Sequence, residues 1–155
     1  MQLTGVLSIG LLIAIAFLEL DNKGRVTNFD LVKKAKRLLL AWLATTVLFI
    51  LVQIAYLLDQ PLTASFDLTV IRSYLTQTSI GKSYLIQIIG IIVVLAISLK
   101  KVISTYIALL ISLIAITAAV FQSHGSTSGH HGLAIGALVI HVIALSFWVG
   151  GLFGL

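Results

Sequence analysis

Residues 123–155, SHGSTSGHHGLAIGALVIHVIALSFWVGGLFGL, contain all four histidines of the chain. His124, His130 and His131 lie in a polar segment rich in serine and glycine. The residues from 133 onward are almost all apolar, over a length that can cross a bilayer as a helix. His141 interrupts that apolar run, and an ionisable residue within a membrane span indicates a functional site. The rest of the chain is interpreted as the frame that holds this segment.

The composition indicates an integral membrane protein. Of the 155 residues, 59% are hydrophobic and 10% are charged, and the mean hydropathy is +1.15. Soluble domains have roughly 45–50% apolar and about 25% charged residues. So few charges cannot cover a globule of this size in water.

The apolar segments predict the number of spans. About 20 apolar residues in a helix cross the hydrocarbon core of a bilayer. Segments that reach or approach this length are 3–20, 38–58, 80–99, 102–121 and 133–155. No basic residue or small-x-small cleavage site marks the first as a signal peptide, so it is expected to be a retained helix. The sequence therefore predicts an all-α, polytopic transmembrane helix bundle of about five spans.

The positions of the ten basic residues predict the orientation. Six lie in the loop at 21–37 and two in the turn at 100–101. The loop at 59–79, with the start of the third span, contains only Arg72 and Lys82. Because cytoplasmic loops are rich in Lys and Arg, the N-terminus, the 59–79 loop and the histidine segment are expected outside. This distribution also accounts for the net charge of +5 without a nucleic-acid partner.

The external loop is expected to contain one surface helix. Asp59-Gln60-Pro61 predicts the end of the second span, because proline cannot continue a helix. Between 67 and 77, apolar residues recur at helical spacing, at Leu68, Ile71 and Leu75. This pattern predicts a short amphipathic helix at the outer membrane surface. A plain loop is the alternative.

Histidine is the side chain best suited to a metal site here. The chain has no cysteine, and its one methionine is Met1. A metal would therefore be bound by imidazole, carboxylate or backbone oxygen, and imidazole suits copper, zinc, iron and nickel. The candidate ligands are His124, His130, His131 and His141. A solvated histidine tract without metal is the alternative for the first three.

The spacing of the histidines predicts separate stations if both His131 and His141 bind metal, or else that each pairs with a ligand from another helix. His131 and His141 are ten residues apart, about 15 Å along a helix, whereas metal–nitrogen bonds are about 2 Å. Ala137, Ala144 and Trp148 share the helical stripe of His141. Because small residues mark helix–helix contacts in membranes, His141 is expected to point into the bundle. The alternative is a histidine that only hydrogen-bonds a neighbouring helix.

Other polar residues of the spans are expected to be structural. Gln53 and Gln87 are interpreted as ordinary interhelical hydrogen-bonding residues. The sequence contains no nucleophile–base arrangement, phosphate-binding glycine loop or pair of catalytic carboxylates. We therefore expect no enzymatic activity.

The run HGLAIGALVIHVIALSFWVGGL, from His131, resembles the closing signature of the copper resistance protein D (CopD) domain. In that signature a histidine precedes a second histidine by ten residues and leads into a Trp-Val-Gly-Gly-Leu turn, here 148–152. The segment SYLTQTSIGKS, 73–83, is similar to the external segment of actinobacterial members, which are often fused to a CtaG-type cytochrome c oxidase assembly domain. His124 matches a family Gly-His position, although the order here is Ser-His-Gly.

The resemblance implies one CopD-like domain over 1–155 in the cytoplasmic (inner) membrane, which imports copper or supplies it to oxidase assembly. It implies that copper is the metal bound by the candidate ligands His124, His130, His131 and His141, at separate stations. The implied partners are membrane lipid, a periplasmic or extracellular copper-binding protein and an oxidase assembly factor. Because family members continue with further spans, the chain is expected to be the amino-terminal part of a longer protein.

Two alternatives remain open from the sequence. Histidines near one membrane face can serve as axial haem ligands, which would make the protein a membrane electron carrier that uses His141 with His124 or His131. The other alternative is a structural membrane subunit without metal.

Overall fold

A computed structural model describes residues 2–18, 21, 23–123 and 131–153, and the regular structure in these ranges is helical. A 3-10 turn at Leu62–Phe66 lies between the second and third α-helices. The α-helices are α1 (Gln2–Leu18), α2 (Phe29–Leu58), α3 (Leu68–Gln77), α4 (Ser79–Ala96), α5 (Val102–Ser123) and α6 (His131–Phe153). The expected all-α class is confirmed.

Two helices in the described ranges, α2 and α4, are long and apolar enough to cross a bilayer. Shorter apolar segments lie in α1, α5 and α6, at Leu3–Leu18, Val102–Ala118 and Val139–Val149. Each of the five segments predicted as spans overlaps one of these helices. Helix α2 begins nine residues earlier than the predicted span, because the Asn28 side chain accepts a hydrogen bond from the Leu31 N–H and caps the helix.

Helix α1 forms the centre of the bundle. It packs against α2, α5 and α6, while α4 packs against α2 and α5. Its residues 8–16 are all buried. Gly5 allows close approach to α2, because a Cβ atom at this position would lie 2.8 Å from Cε2 of Trp42. The indole of Trp42 is fully buried at this contact.

The amphipathic helix predicted after Asp67 is present as α3. The Asp67 carboxylate caps it by accepting a hydrogen bond from the Thr69 N–H, at 2.8 Å. Its buried Tyr74 packs with Ile50 and Ile54 of α2 and with Tyr84 of α4. Helix α2 ends where the proline rule predicts, with Asp59 at φ 51°.

The opposite end of the bundle is formed by residues 21, 23–37 and 97–104, and we call it the basic end. Here the loop before α2 hydrogen-bonds to the turn between α4 and α5, in an isolated antiparallel bridge between Arg25 and Lys101. The Val26 N–H donates to the Lys100 carbonyl, at 3.1 Å, and the Val102 N–H to the Gly24 carbonyl, at 2.9 Å. Gly24 has φ +66°, a conformation that glycine adopts readily.

Candidate functional site

The position of α6 is set by its packing against α1 and, less extensively, α5. Val142 and Val149 pack against the core, and Ser146 is fully buried. The ring of Phe147 lies 6.3 Å from that of Phe17 on α1, measured between centroids. Helix α6 therefore lies at the edge of the described bundle.

His141 lies on the free side of α6. Its side chain is exposed, as are Ala137 and Ala144 on the same stripe, and Trp148 is 65% exposed. The expectation that His141 points into this bundle was therefore wrong. The valines and Ser146 make the contact instead, and Ser146 lies about 140° around the helix from His141.

The other three predicted ligands lie at or before the start of α6. His131 is the first residue of the helix, so its Cα atom lies about 15 Å along the axis from that of His141. His124 and His130 lie outside the described residues. Within the described part of the chain, no three His, Cys, Asp or Glu residues come together. Among the described residues, His141 is therefore not part of a group of three such side chains.

A polar pair that joins α2 to α4 lies in the core. The Gln87 Nε2 group donates a hydrogen bond to Thr46 Oγ1, at 2.9 Å, and Thr46 Oγ1 donates to the Trp42 carbonyl, at 2.8 Å. Gln87 and Thr46 are fully buried. The interpretation of Gln87 as an interhelical hydrogen-bonding residue is confirmed. Gln87 Oε1 and Trp42 Nε1 are buried without a hydrogen-bond partner among the described residues.

Sequence reasoning missed Thr46 and Trp42 as polar core residues. The signal was a threonine pair, 45–46, in the middle of an apolar segment. Such a hydroxyl donates a hydrogen bond to a backbone carbonyl of its own helix, as both threonines do. Its oxygen can then accept a hydrogen bond from a second helix. The arrangement specifies how α2 and α4 pair, and it contains no typical copper ligand.

A groove of about 390 Å³ lies between the last turns of α2 and helix α3. Its walls are mainly aliphatic and neutral polar, formed by Ile54, Leu57, Leu58, Thr69, Val70, Ser73, Tyr74, Gln77 and Thr78. Burial raises the pKa of the Tyr74 hydroxyl, and the neighbouring Tyr84 adds to the effect. The tyrosine therefore stays protonated at neutral pH, and the groove has no imidazole or carboxylate to bind a metal.

At the basic end, Asp21 organises the loop before α2. Its carboxylate accepts hydrogen bonds from the Arg25 N–H, at 2.7 Å, and the Lys23 N–H, at 2.8 Å. The backbone N–H of Arg25 is the main cause that holds the pKa of Asp21 below its ordinary value of 3.8. The Lys23 N–H and the Arg25 guanidinium lower it further, against an opposing effect of burial.

The family described as copper resistance protein D-like, N-terminal domain, has a sequence profile that matches residues 1–136. The resemblance found in the sequence is thereby confirmed. The match includes His124, His130 and His131 and ends five residues before His141. None of the curated proteins or solved structures compared with the chain matches it.

Proposed function

Because the chain belongs to the family of copper resistance protein D-like N-terminal domains, we propose that it handles copper in the cytoplasmic membrane. Its function is to import the ion or to deliver it for oxidase assembly. The observation that carries the proposal is the family match over 1–136, which includes three of the four histidines. The proposal assigns no catalytic step to the chain.

The proposed topology has five spans with the N-terminus outside. The loop at 21–37 and the turn at 100–101 hold eight of the ten basic residues. The bridge between Arg25 and Lys101 joins these two segments at one end of the bundle. Such a concentration of Lys and Arg at one end supports a cytoplasmic location for it. The start of α6 then lies outside.

In this topology the histidines act at two levels. His124, His130 and His131 collect copper outside, from a periplasmic or extracellular copper-binding protein. His141 holds it at a second level, about 15 Å further along α6. A bare ion in hydrocarbon is prohibitively costly, so further ligands must enclose copper at the exposed His141. An oxidase assembly factor is the proposed recipient.

Copper binding to the purified chain in lipid nanodiscs tests the site. We expect His131→Ala and His141→Ala each to lower the stoichiometry or weaken the affinity by about tenfold or more, because each removes one nitrogen ligand. Ile140→Ala is the matched control, since Ile140 is exposed beside His141 and has no donor atom. Unaltered copper binding in both histidine variants would contradict the assignment.

A further inference from the structure

We propose that the cavity at the turn between α4 and α5 binds the headgroup of an anionic phospholipid of the cytoplasmic leaflet. The cavity has a volume of about 490 Å³ and is lined by Ile97, Ser98, Lys100, Lys101, Ser104 and Ile107. It therefore combines two ammonium groups, two hydroxyls and two aliphatic side chains. The proposal rests on the proposed orientation, in which the basic end lies in the cytoplasm.

The two lysines are available to an external anion. Both are exposed, and among the described residues neither makes an ion pair. The ion pairs described at this end are Arg25 with Asp21, at 3.1 Å, and Lys33 with Asp30, at 3.2 Å. Among the described carboxylates of this end, those of Asp21 and Asp30 already have other partners, and a lipid phosphate is the group we propose to complement the lysines.

The turn that carries the lysines is held in place on both sides. Leu99 is buried, at 2% exposure, and anchors the turn in the core. The bridge from Arg25 fixes the backbone of Lys101. The Ser104 hydroxyl donates to the Ser98 carbonyl, at 2.7 Å, and so closes the turn across the cavity. The lysine backbones are therefore fixed before a ligand binds, which lowers the entropy lost on binding.

The local charge favours an anion over a zwitterion. By sequence, residues 19–37 and 100–101 contain eight basic and three acidic side chains. Basic segments beside the membrane attract acidic lipids of the cytoplasmic leaflet, and basic pockets between helices bind their headgroups. The first turn of α5 begins at Val102 beside the lysines and adds the partial positive charge of a helix N-terminus.

The aliphatic side chains favour a lipid over a soluble anion. Ile107 lies more than one helical turn along α5 from the lysines and is 48% exposed. Ile97 is partly buried at the end of α4. The cavity thus continues from a basic rim onto an apolar surface, which fits a phosphate followed by an acyl chain. Inorganic phosphate would leave both isoleucines uncovered.

Native mass spectrometry of the full chain in detergent, titrated with phosphatidylglycerol or with phosphatidylcholine of the same acyl chains, tests the proposal. We expect preferential retention of phosphatidylglycerol. The double substitution Lys100→Gln with Lys101→Gln should weaken this retention by about tenfold, because it removes two phosphate partners. Lys34→Gln with Arg37→Gln is the matched control, since these exposed residues at the same end do not line the cavity. It should change retention by less than about twofold.

Any of the following results would overturn the proposal: equal loss in the two double variants, equal retention of the two lipids, or displacement of phosphatidylglycerol by millimolar inorganic phosphate. Because all four substituted positions are exposed, we expect the helices of both double variants to stay intact. Circular dichroism of each variant checks this. Labelling that finds the lysines outside the cell would also contradict it. The readout contains no copper, so a failed copper-binding test and a failed lipid test can be told apart.

Discussion

Helices α1 and α6 are neighbours of similar apolar composition, yet they have opposite surroundings. Residues 8–16 of α1 are buried on every side, whereas Ser146 is the one buried side chain among those described in α6. In a membrane, lipid-facing and core-facing residues are both apolar, so hydropathy does not separate a central helix from an edge helix. Of these two helices, α6 has a face without a helical neighbour in the described bundle, and His141, the candidate intramembrane ligand, lies on that face.

The two tryptophans give the largest expected contrast. Trp42→Ala should lower the free energy of unfolding by about 3 kcal/mol, because it empties a fully buried site beside α1. Trp148→Ala on the free face of α6 should change it by less than about 0.5 kcal/mol. Reversible unfolding in mixed micelles measures both. Similar losses would show that the free face of α6 is covered in the assembled protein.

Alanine substitutions at two glycines, one on α1 and one on α6, should change the stability of the protein in opposite directions. Gly5→Ala should destabilise the protein by about 1–3 kcal/mol, because the new methyl group would lie 2.8 Å from Trp42 Cε2. Gly136→Ala on α6 meets no atom within 4 Å, and it should stabilise by up to about 1 kcal/mol through helix propensity. Thermal midpoints of the two variants in one detergent provide the test. A loss at position 136 would contradict an open face there.

A smaller effect is expected from the polar pair in the core. A double-mutant cycle with Gln87→Leu and Thr46→Val should give a coupling of about 0.6 kcal/mol, typical of hydrogen bonds between membrane helices. The single Gln87→Leu change has a smaller net effect than the lost bond alone, because it also removes the unpartnered Oε1. A second cycle, with Gln53→Leu in place of Gln87→Leu, is the control and should give no coupling with Thr46→Val. A coupling near zero would contradict the bond between α2 and α4.

The smallest effect is expected at the basic end and depends on pH. The folded-state pKa of Asp21 is lowered, so its contribution to stability is present above the unfolded pKa and is lost as the pH falls through the folded pKa. Asp21→Asn should therefore flatten the fall of the thermal midpoint between about pH 5 and pH 2. Asp30→Asn, at an exposed carboxylate of the same end, is the control. Equal flattening by both substitutions would contradict the assignment to Asp21.

The helices were predictable from sequence because apolar runs, caps and breakers are local signals. Pro61 marks the end of α2, and Asp67 begins the amphipathic α3 in the structure as in the prediction. The start of α2 was missed because its first turns hold basic residues, so the apolar run begins later than the helix capped by Asn28.

The orientation of His141 was not predictable, because it depends on which neighbours a helix has. Small residues such as Ala137 and Ala144 mark a surface against which another helix can pack closely. A single sequence does not say whether that other helix is one of the described bundle. The valines and Ser146 of α6 take that contact. The hydrogen bond between Thr46 and Gln87 joins two residues that are 41 positions apart in sequence. Of the two, only Gln87 was predicted as an interhelical hydrogen-bonding residue.

The central position of α1 also has a consequence for biosynthesis. Helix α1 precedes in synthesis the three helices that cover it, α2, α5 and α6, and the last of these is completed only at Phe153. Until then one side of α1 must be shielded by lipid or by the insertion machinery. We expect chains arrested before α6 to expose the face of α1 at Phe17, where Phe147 would lie.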